Sequence, residues 1–359
     1  MTFSTTSLIK KMLAIILLLS ILYLGKSFFI PIAIGGVLAT LFLPFCKWME
    51  IKKVPKWLAV TTCLALFLMI VAGIILLLSW QITALANDFS ILKDKAISTG
   101  NNLQQYLFKN LGINKKTQLQ ILNDEQPVIA KVLQLLAGSF ITIFTNFILV
   151  MAYIFFLLFY RLHLLQFILK LAPATQQKEM NEVLHNIANV SQQYMLGLGK
   201  MIVCLWVMYG IGFSILGVKN ALFFSMLCGL LEIVPFIGNI TGTTITVLVA
   251  AINGAGITMI VGIVATYVIV QFIQGWLLEP LILGPQVKIN PFSTIIALVL
   301  GQLLWGIPGI FLAIPLTAMV KIIFDHFESL QPYGFLIGTI ETKKQPTGLL
   351  KRIKSRLKK

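Results

Sequence analysis

The residues able to do chemistry are few, and they cluster in the second half of the chain. Glu232 and Glu279 are two acids embedded in apolar sequence, each near a proline, as Glu232-x-x-Pro235 and Glu279-Pro280. A carboxylate at the centre of a bilayer costs roughly 3 kcal/mol or more, so it faces a partner, a water-filled cavity or a pathway. Two roles suit Glu232: it carries a proton or monovalent cation in a transport cycle, or it ties the backbone of an interrupted helix by hydrogen bonding. Asp325, at the end of the last apolar run, is a third candidate for proton or cation, and Glu279 lies nearer a membrane face. Asn239, Gln271, Gln274, Asn290 and Gln302 are neutral polar groups suited to contacting a hydroxylated solute or to hydrogen bonding between helices.

Other chemistries have no footing. G-x-S-x-G, P-loop and H-E-x-x-H patterns are absent from the sequence. The three histidines are widely separated. Cys46, Cys63, Cys204 and Cys228 fall in or beside apolar runs with no C-x-x-C pair, as small buried hydrophobes do. No enzyme activity, metal or cofactor is therefore expected. Without a P-loop, transport through this chain draws on an ion or solute gradient or is passive.

The groups above need a scaffold, and composition defines it. Of 359 residues 58% are hydrophobic and only 11% are charged, with a mean hydropathy of +0.92. A soluble domain carries about twice that charge. The chain reads as an all-α, polytopic membrane protein with broken or re-entrant helices in its C-terminal half. The net charge of +16 does not point to nucleic acid, because eight of the 28 basic residues lie between Lys343 and Lys359, as in a cytoplasmic tail near anionic lipid.

In order, residues 1–80 hold three expected spans: Met12 to Leu24, Phe28 to Phe45 after a tight turn at Lys26, and Leu58 to Trp80. Lys47, Lys52, Lys53 and Lys56 place the loop before the third span inside the cell. Residues 81–137 are a polar insert with helical periodicity, expected outside. Residues 138–200 hold a fourth span, Phe140 to Tyr160, and an amphipathic cytoplasmic helix from Pro173 to Lys200. Residues 201–328 form the transport core. Its spans are Met201 to Gly217, the long run Ala221 to Ile252 broken at Pro235 and Gly238, Ile257 to Phe272, and a last run from Pro291 to Phe324. Pro280 marks a break at the head of an apolar connector, and Gly306, Pro308 and Gly309 mark the meeting of two half-helices, with a further break at Pro315. Residues 329–359 are the basic tail. About eight crossings are expected, in a bacterial cytoplasmic membrane, with both termini cytoplasmic. Small-residue spans and the insert suggest a homo-oligomer.

Leu231-Glu232-Ile233-Val234-Pro235-Phe236-Ile237-Gly238, Gln271 through Glu279-Pro280 and Gly284, Pro291, and Gly306-Ile307-Pro308-Gly309 through Ala313-Ile314-Pro315-Leu316 together resemble the AI-2E family of bacterial membrane transporters. The likeness covers nearly the whole chain, and the second half is its specific part. It departs after Glu279-Pro280, where the family carries a basic residue before the glycine and this chain has Leu281-Ile282-Leu283-Gly284. The resemblance implies a transporter or permease, since members are described as exporters of the signal autoinducer-2 or as sodium/proton antiporters. Three functions stay open: a carrier of a small polar solute such as a furanose-like signal, a sodium- or lithium-for-proton antiporter, and an assembly or pore protein without coupled transport.

Overall fold

The computed structural model describes residues 5–86, 126–235 and 237–339. Most of the expected insert, residues 87–125, lies outside them, as do residues 340–359 of the basic tail and Phe236. Among the described residues the chain is helical throughout, apart from an isolated antiparallel bridge between Ile289 and Gly338. The all-α, polytopic class stands as expected.

Helix α1 (Thr5–Leu24) meets α2 (Lys26–Ile51) across Gly25 alone. The Gly25 N–H donates to Ile21 O at 2.8 Å and the Phe29 N–H to Gly25 O at 3.0 Å, so the bonding of each helix ends on Gly25. The turn expected at Lys26 lies at Gly25, one residue earlier. Helix α3 (Lys56–Ala86) returns beside α2. Helix α4 (Gln126–Phe159) leads into α5 (Arg161–Leu171) through a 69° bend. A single 3-10 turn, Ala174–Gln176, precedes α6 (Gln177–Ile215). Here the amphipathic helix and the fifth span are one continuous 39-residue helix. Gly197 and Gly199 do not interrupt it, because helix geometry tolerates glycine at about 1 kcal/mol each.

The broken or re-entrant helices expected in the second half take the form of two helical hairpins. Helix α7 (Ala221–Leu231) and α8 (Ile237–Ile252) flank the Glu232–Pro235 turn. Fourteen residues of straight helix would hold Cys228 and Gly242 about 21 Å apart. A Cβ on Gly242 would lie only 2.8 Å from Cys228 Sγ, so α8 folds back along α7. Helix α9 (Ile257–Ile273) continues into a π-helical segment, Gln274–Leu283, and a short α10 (Gly284–Val287). The second hairpin joins α11 (Pro291–Trp305) to α12 (Ile307–His326) at Gly306, which has φ +65°. A Cβ on Gly301 would lie 2.5 Å from Gly309 O and 3.2 Å from Ala313 Cβ, so these arms also lie side by side. Pro308 sits in the first turn of α12, where proline costs nothing, and Pro315 is inside an unbroken helix rather than at a break. A last short helix, α13 (Gln331–Ile337), closes the described chain.

Among the described residues five helices are long and apolar enough to cross a membrane, or six if the bent α4–α5 pair is one span. The expectation of about eight counted Met12 to Leu24 and the run Ala221 to Ile252 as crossings. The first is the apolar part of the 20-residue α1, and the second is two shorter arms. Packing forms two groups and a seam. Helices α2, α3 and α4 share one core around Cys46, Cys63 and Ile154. Helices α6 to α9 share another around Leu205, Tyr209, Phe213 and Phe224. Val37, Tyr194, Leu198 and Leu312 join α2, α6 and α12 between them.

Candidate functional site

The α7–α8 hairpin positions the site. Helix α7 ends because Pro235 offers no N–H and disfavours helix at the residue before it. The chain then turns tightly: the Val234 N–H donates to Leu231 O at 2.9 Å, and the Gly238 N–H to Val234 O at 3.0 Å. Only glycine fits at 238, since a Cβ there would lie 1.7 Å from Leu231 O. Gly229 is the seat of Trp206 on α6, and Trp206 Nε1 donates to Met226 O at 3.0 Å. The hairpin tip therefore reaches the middle of α6, inside the bundle.

At that tip three polar side chains are buried: Glu232 is 6% exposed, Gln274 2% and Asn239 0%. Gln274 links them. Its Nε2 donates to Glu232 Oε1 at 2.5 Å and, at a longer 3.4 Å, to Glu279 Oε1. Its Oε1 accepts from Asn239 Nδ2 at 3.1 Å. The π-helix is what brings Gln274 and Glu279 to this point. Its wider coil, with the Gly284 N–H bonded to Glu279 O five residues back, passes through Pro280 without a break. Such widened turns accompany functional sites in helices. Pro280 is thus a wall of the site and not the helix-break expected from sequence. Glu232 Oε2, Asn239 Oδ1 and Thr243 Oγ1 are buried and have no hydrogen-bond partner among the described residues.

Beside the cluster lies a cavity of about 390 Å³. Glu232, Pro235, Glu279 and Pro280 form one side, Tyr194, Leu198 and Met201 of α6 another, and Lys288, Thr294 and Leu298 a third. Its wall is largely apolar with a few polar groups, the usual make-up of a small-molecule site.

The remaining sequence candidates lie elsewhere. Gln271 is one turn before Gln274, where its side chain meets Tyr209 rather than the Glu232 cluster. Asn290 is committed to structure: its Oδ1 caps α11 by accepting from the Ser293 N–H at 2.8 Å, and its Nδ2 donates to Leu336 O at 2.6 Å and Gly338 O at 3.0 Å. Gln302 is exposed, and its backbone oxygen accepts the Gly306 N–H at 2.9 Å. Asp325 is ion-paired with Lys321 and lines a different cavity. Gly306 and Gly309 shape the second hairpin and do not line the cavity. Sequence reasoning missed Tyr194 and Lys288. Tyr194 lies within the stretch expected as an amphipathic cytoplasmic helix, and its burial (3% exposed) becomes visible only once α6 runs unbroken through the bundle.

A buried carboxylate–amide cluster at the tip of an intramembrane hairpin, beside a cavity, defines a multi-pass helical protein of the membrane-transporter class. Comparison with known proteins narrows this. The family model "AI-2E family transporter" matches residues 12–329, and the chain belongs to that family. Relatives bearing the name "Putative transport protein" include YrrI of Bacillus subtilis, 26% identical over 318 residues covering 84% of this chain and 87% of the relative. YueF of the same organism is 26% identical over 317 residues, covering 83% and 84%. A Haemophilus influenzae protein is 24% identical over 343 residues, covering 91% and 95%.

Proposed function

We propose that this chain moves a small polar solute across the bacterial cytoplasmic membrane through the cavity beside Glu232. The supporting observation is the Asn239–Gln274–Glu232 chain of hydrogen bonds, which leaves one oxygen of Glu232 and one of Asn239 buried without a partner. Orphaned buried acceptors cost about 1–3 kcal/mol each. A hydroxylated solute in the cavity would donate to Glu232, which lines it, and the apolar wall suits the carbon face of a ring. A furanose-like signal such as autoinducer-2 has that chemistry.

A second reading has its own observation. Glu232 and Glu279 share one amide nitrogen, a pairing of carboxylates of the kind that sodium- or lithium-for-proton exchange uses. One experiment separates the two readings. The purified protein is reconstituted in vesicles, and uptake of hydroxylated solutes and of sodium is followed with and without a pH gradient. Solute uptake that is lost in Glu232→Gln supports the first reading. Sodium flux that follows the pH gradient and is lost in the same variant supports the second. A folded Glu232→Gln protein transporting at the wild-type rate in both assays would sink the site assignment.

A further inference from the structure

Behind the connector that walls the Glu232 cavity lies a second cavity of about 340 Å³. Lys288 lines both. The second cavity is closed by α13 and the strap that follows it, and its construction is specific. A Cβ on Gly334 would lie 2.2 Å from Asp325 Oδ1, and one on Gly338 would lie 2.9 Å from Lys321 Cε. Two glycines one helical turn apart therefore receive the Lys321–Asp325 ion pair of α12. The strap is stitched to the connector on its other side. The Thr339 N–H donates to Lys288 O at 3.2 Å and the Asn290 N–H to Ile337 O at 2.9 Å.

The charges in this cavity do not balance. Lys288 and Lys321 face a single carboxylate, Asp325, and Lys288 makes no ion pair among the described residues. Gln331 and Thr339 add neutral donors to the same wall. Helix α13 is apolar and open: Tyr333 is 57% exposed, Phe335 76% and Leu336 64%, and Phe335 also lines the cavity. A short helix with exposed aromatic and aliphatic residues beside uncompensated lysine is built for a membrane interface, where acyl chains meet the rings and headgroups meet the ammonium.

We propose that the cavity between Lys288, Lys321, Gln331 and Thr339 binds a phosphate-bearing anion, with an anionic lipid headgroup or free phosphate as its source. A phosphate takes up the excess positive charge and accepts from the hydroxyl and amide, and a lipid would lay its chains against Phe335 and Leu336. The binding does not depend on what the Glu232 cavity carries.

The test uses the full chain in neutral detergent, with the thermal unfolding midpoint followed while phosphatidylglycerol micelles, phosphatidylcholine micelles or inorganic phosphate are added. The basic tail is present in every variant, so differences between variants report the cavity. In the wild type, phosphatidylglycerol raises the midpoint saturably and phosphatidylcholine does not. Loss of one lysine contact is worth about 1 kcal/mol, so Lys288→Gln needs about fivefold more phosphatidylglycerol, and Lys288→Arg restores the wild-type response. A response to inorganic phosphate as well identifies the free anion as a second source, whereas silence in that arm restricts the site to lipid. Lys288 is exposed, so its replacement leaves the fold intact. Wild-type saturation in Lys288→Gln, or an equal response to phosphatidylcholine, overturns the proposal.

Discussion

Gln274 is the residue on which the buried cluster depends, because its amide bonds to Asn239, Glu232 and Glu279. Replacing it by leucine keeps the volume and strands Asn239 Nδ2 and Glu232 Oε1 in the protein interior. Each orphan costs about 1–3 kcal/mol, so Gln274→Leu should lower the unfolding midpoint clearly, and Gln302→Leu, at an exposed position, should not. Equal midpoints for the two variants would show that the hydrogen bonds do not hold the tip. Asn290 gives a second comparison at this scale. It caps α11 and ties the connector to Leu336 and Gly338, so Asn290→Ala should cost about 1–2 kcal/mol in stability and leave solute preference in vesicles unchanged. A changed preference with an unchanged midpoint would return Asn290 to the solute path. Its amide was legible in the sequence as polar and intramembrane. Its use was not, because the partners lie 46 and 48 residues away.

At the scale of elements, the hairpins are the features that sequence reading met only halfway. Pro235 and Gly306 announced interruptions, and both are real. That each interruption turns the chain back on itself rests on contacts between Cys228 and Gly242 and between Gly301 and Gly309, which no local pattern encodes. Pro31, Pro44, Pro280 and Pro315 show the converse, since each lies inside a helix. Neighbouring segments can satisfy the carbonyl a proline frees, so proline in a membrane helix permits a break without requiring one. The long apolar runs were legible because bilayer burial leaves a composition signal. The glycines now give the hairpin a test. Gly238→Ala places a methyl 1.7 Å from Leu231 O, and the turn must open to admit it. Its cost should reach or exceed the upper end of the usual overpacking range, about 3 kcal/mol, read as loss of monodisperse protein on size-exclusion. Gly254 has φ +84° but open space around its Cβ position, and asparagine tolerates that conformation, so Gly254→Asn should elute as the wild type does. Normal behaviour of Gly238→Ala would mean that the α7–α8 turn is looser than described.

For the whole molecule, contacts distant in sequence fix which loops share an end of the bundle. Glu50 at the foot of α2 is ion-paired with Arg161 at the α4–α5 bend, and Lys56 Nζ lies 5.3 Å from the Phe159 ring centroid. His326 Nε2, at the end of α12, is 3.9 Å from Glu179 Oε1 near the start of α6. Helix α5 connects the second of these places to the third. The loop 52–55, the α4–α5 bend and the end of α12 therefore lie at one end. Helix α6 runs from that end to Ile215, and the α7–α8 hairpin dips inward and comes back to the turn at Asn253–Gly254, which puts that turn at the other. Lys47, Lys52, Lys53 and Lys56 favour the cytoplasmic face for the first end. Single cysteines introduced at Lys53, Glu328 and Asn253, in a chain with its four native cysteines replaced by alanine, turn this arrangement into a measurement with a membrane-impermeant maleimide. Lys53→Cys and Glu328→Cys should label in inverted vesicles and stay protected in intact spheroplasts, and Asn253→Cys should do the reverse. Reversal of all three would keep the bundle and invert its orientation, whereas labelling of positions 53 and 328 from opposite sides would contradict the packing of α6 against α12 and, with it, the place of Tyr194 in the wall of the Glu232 cavity.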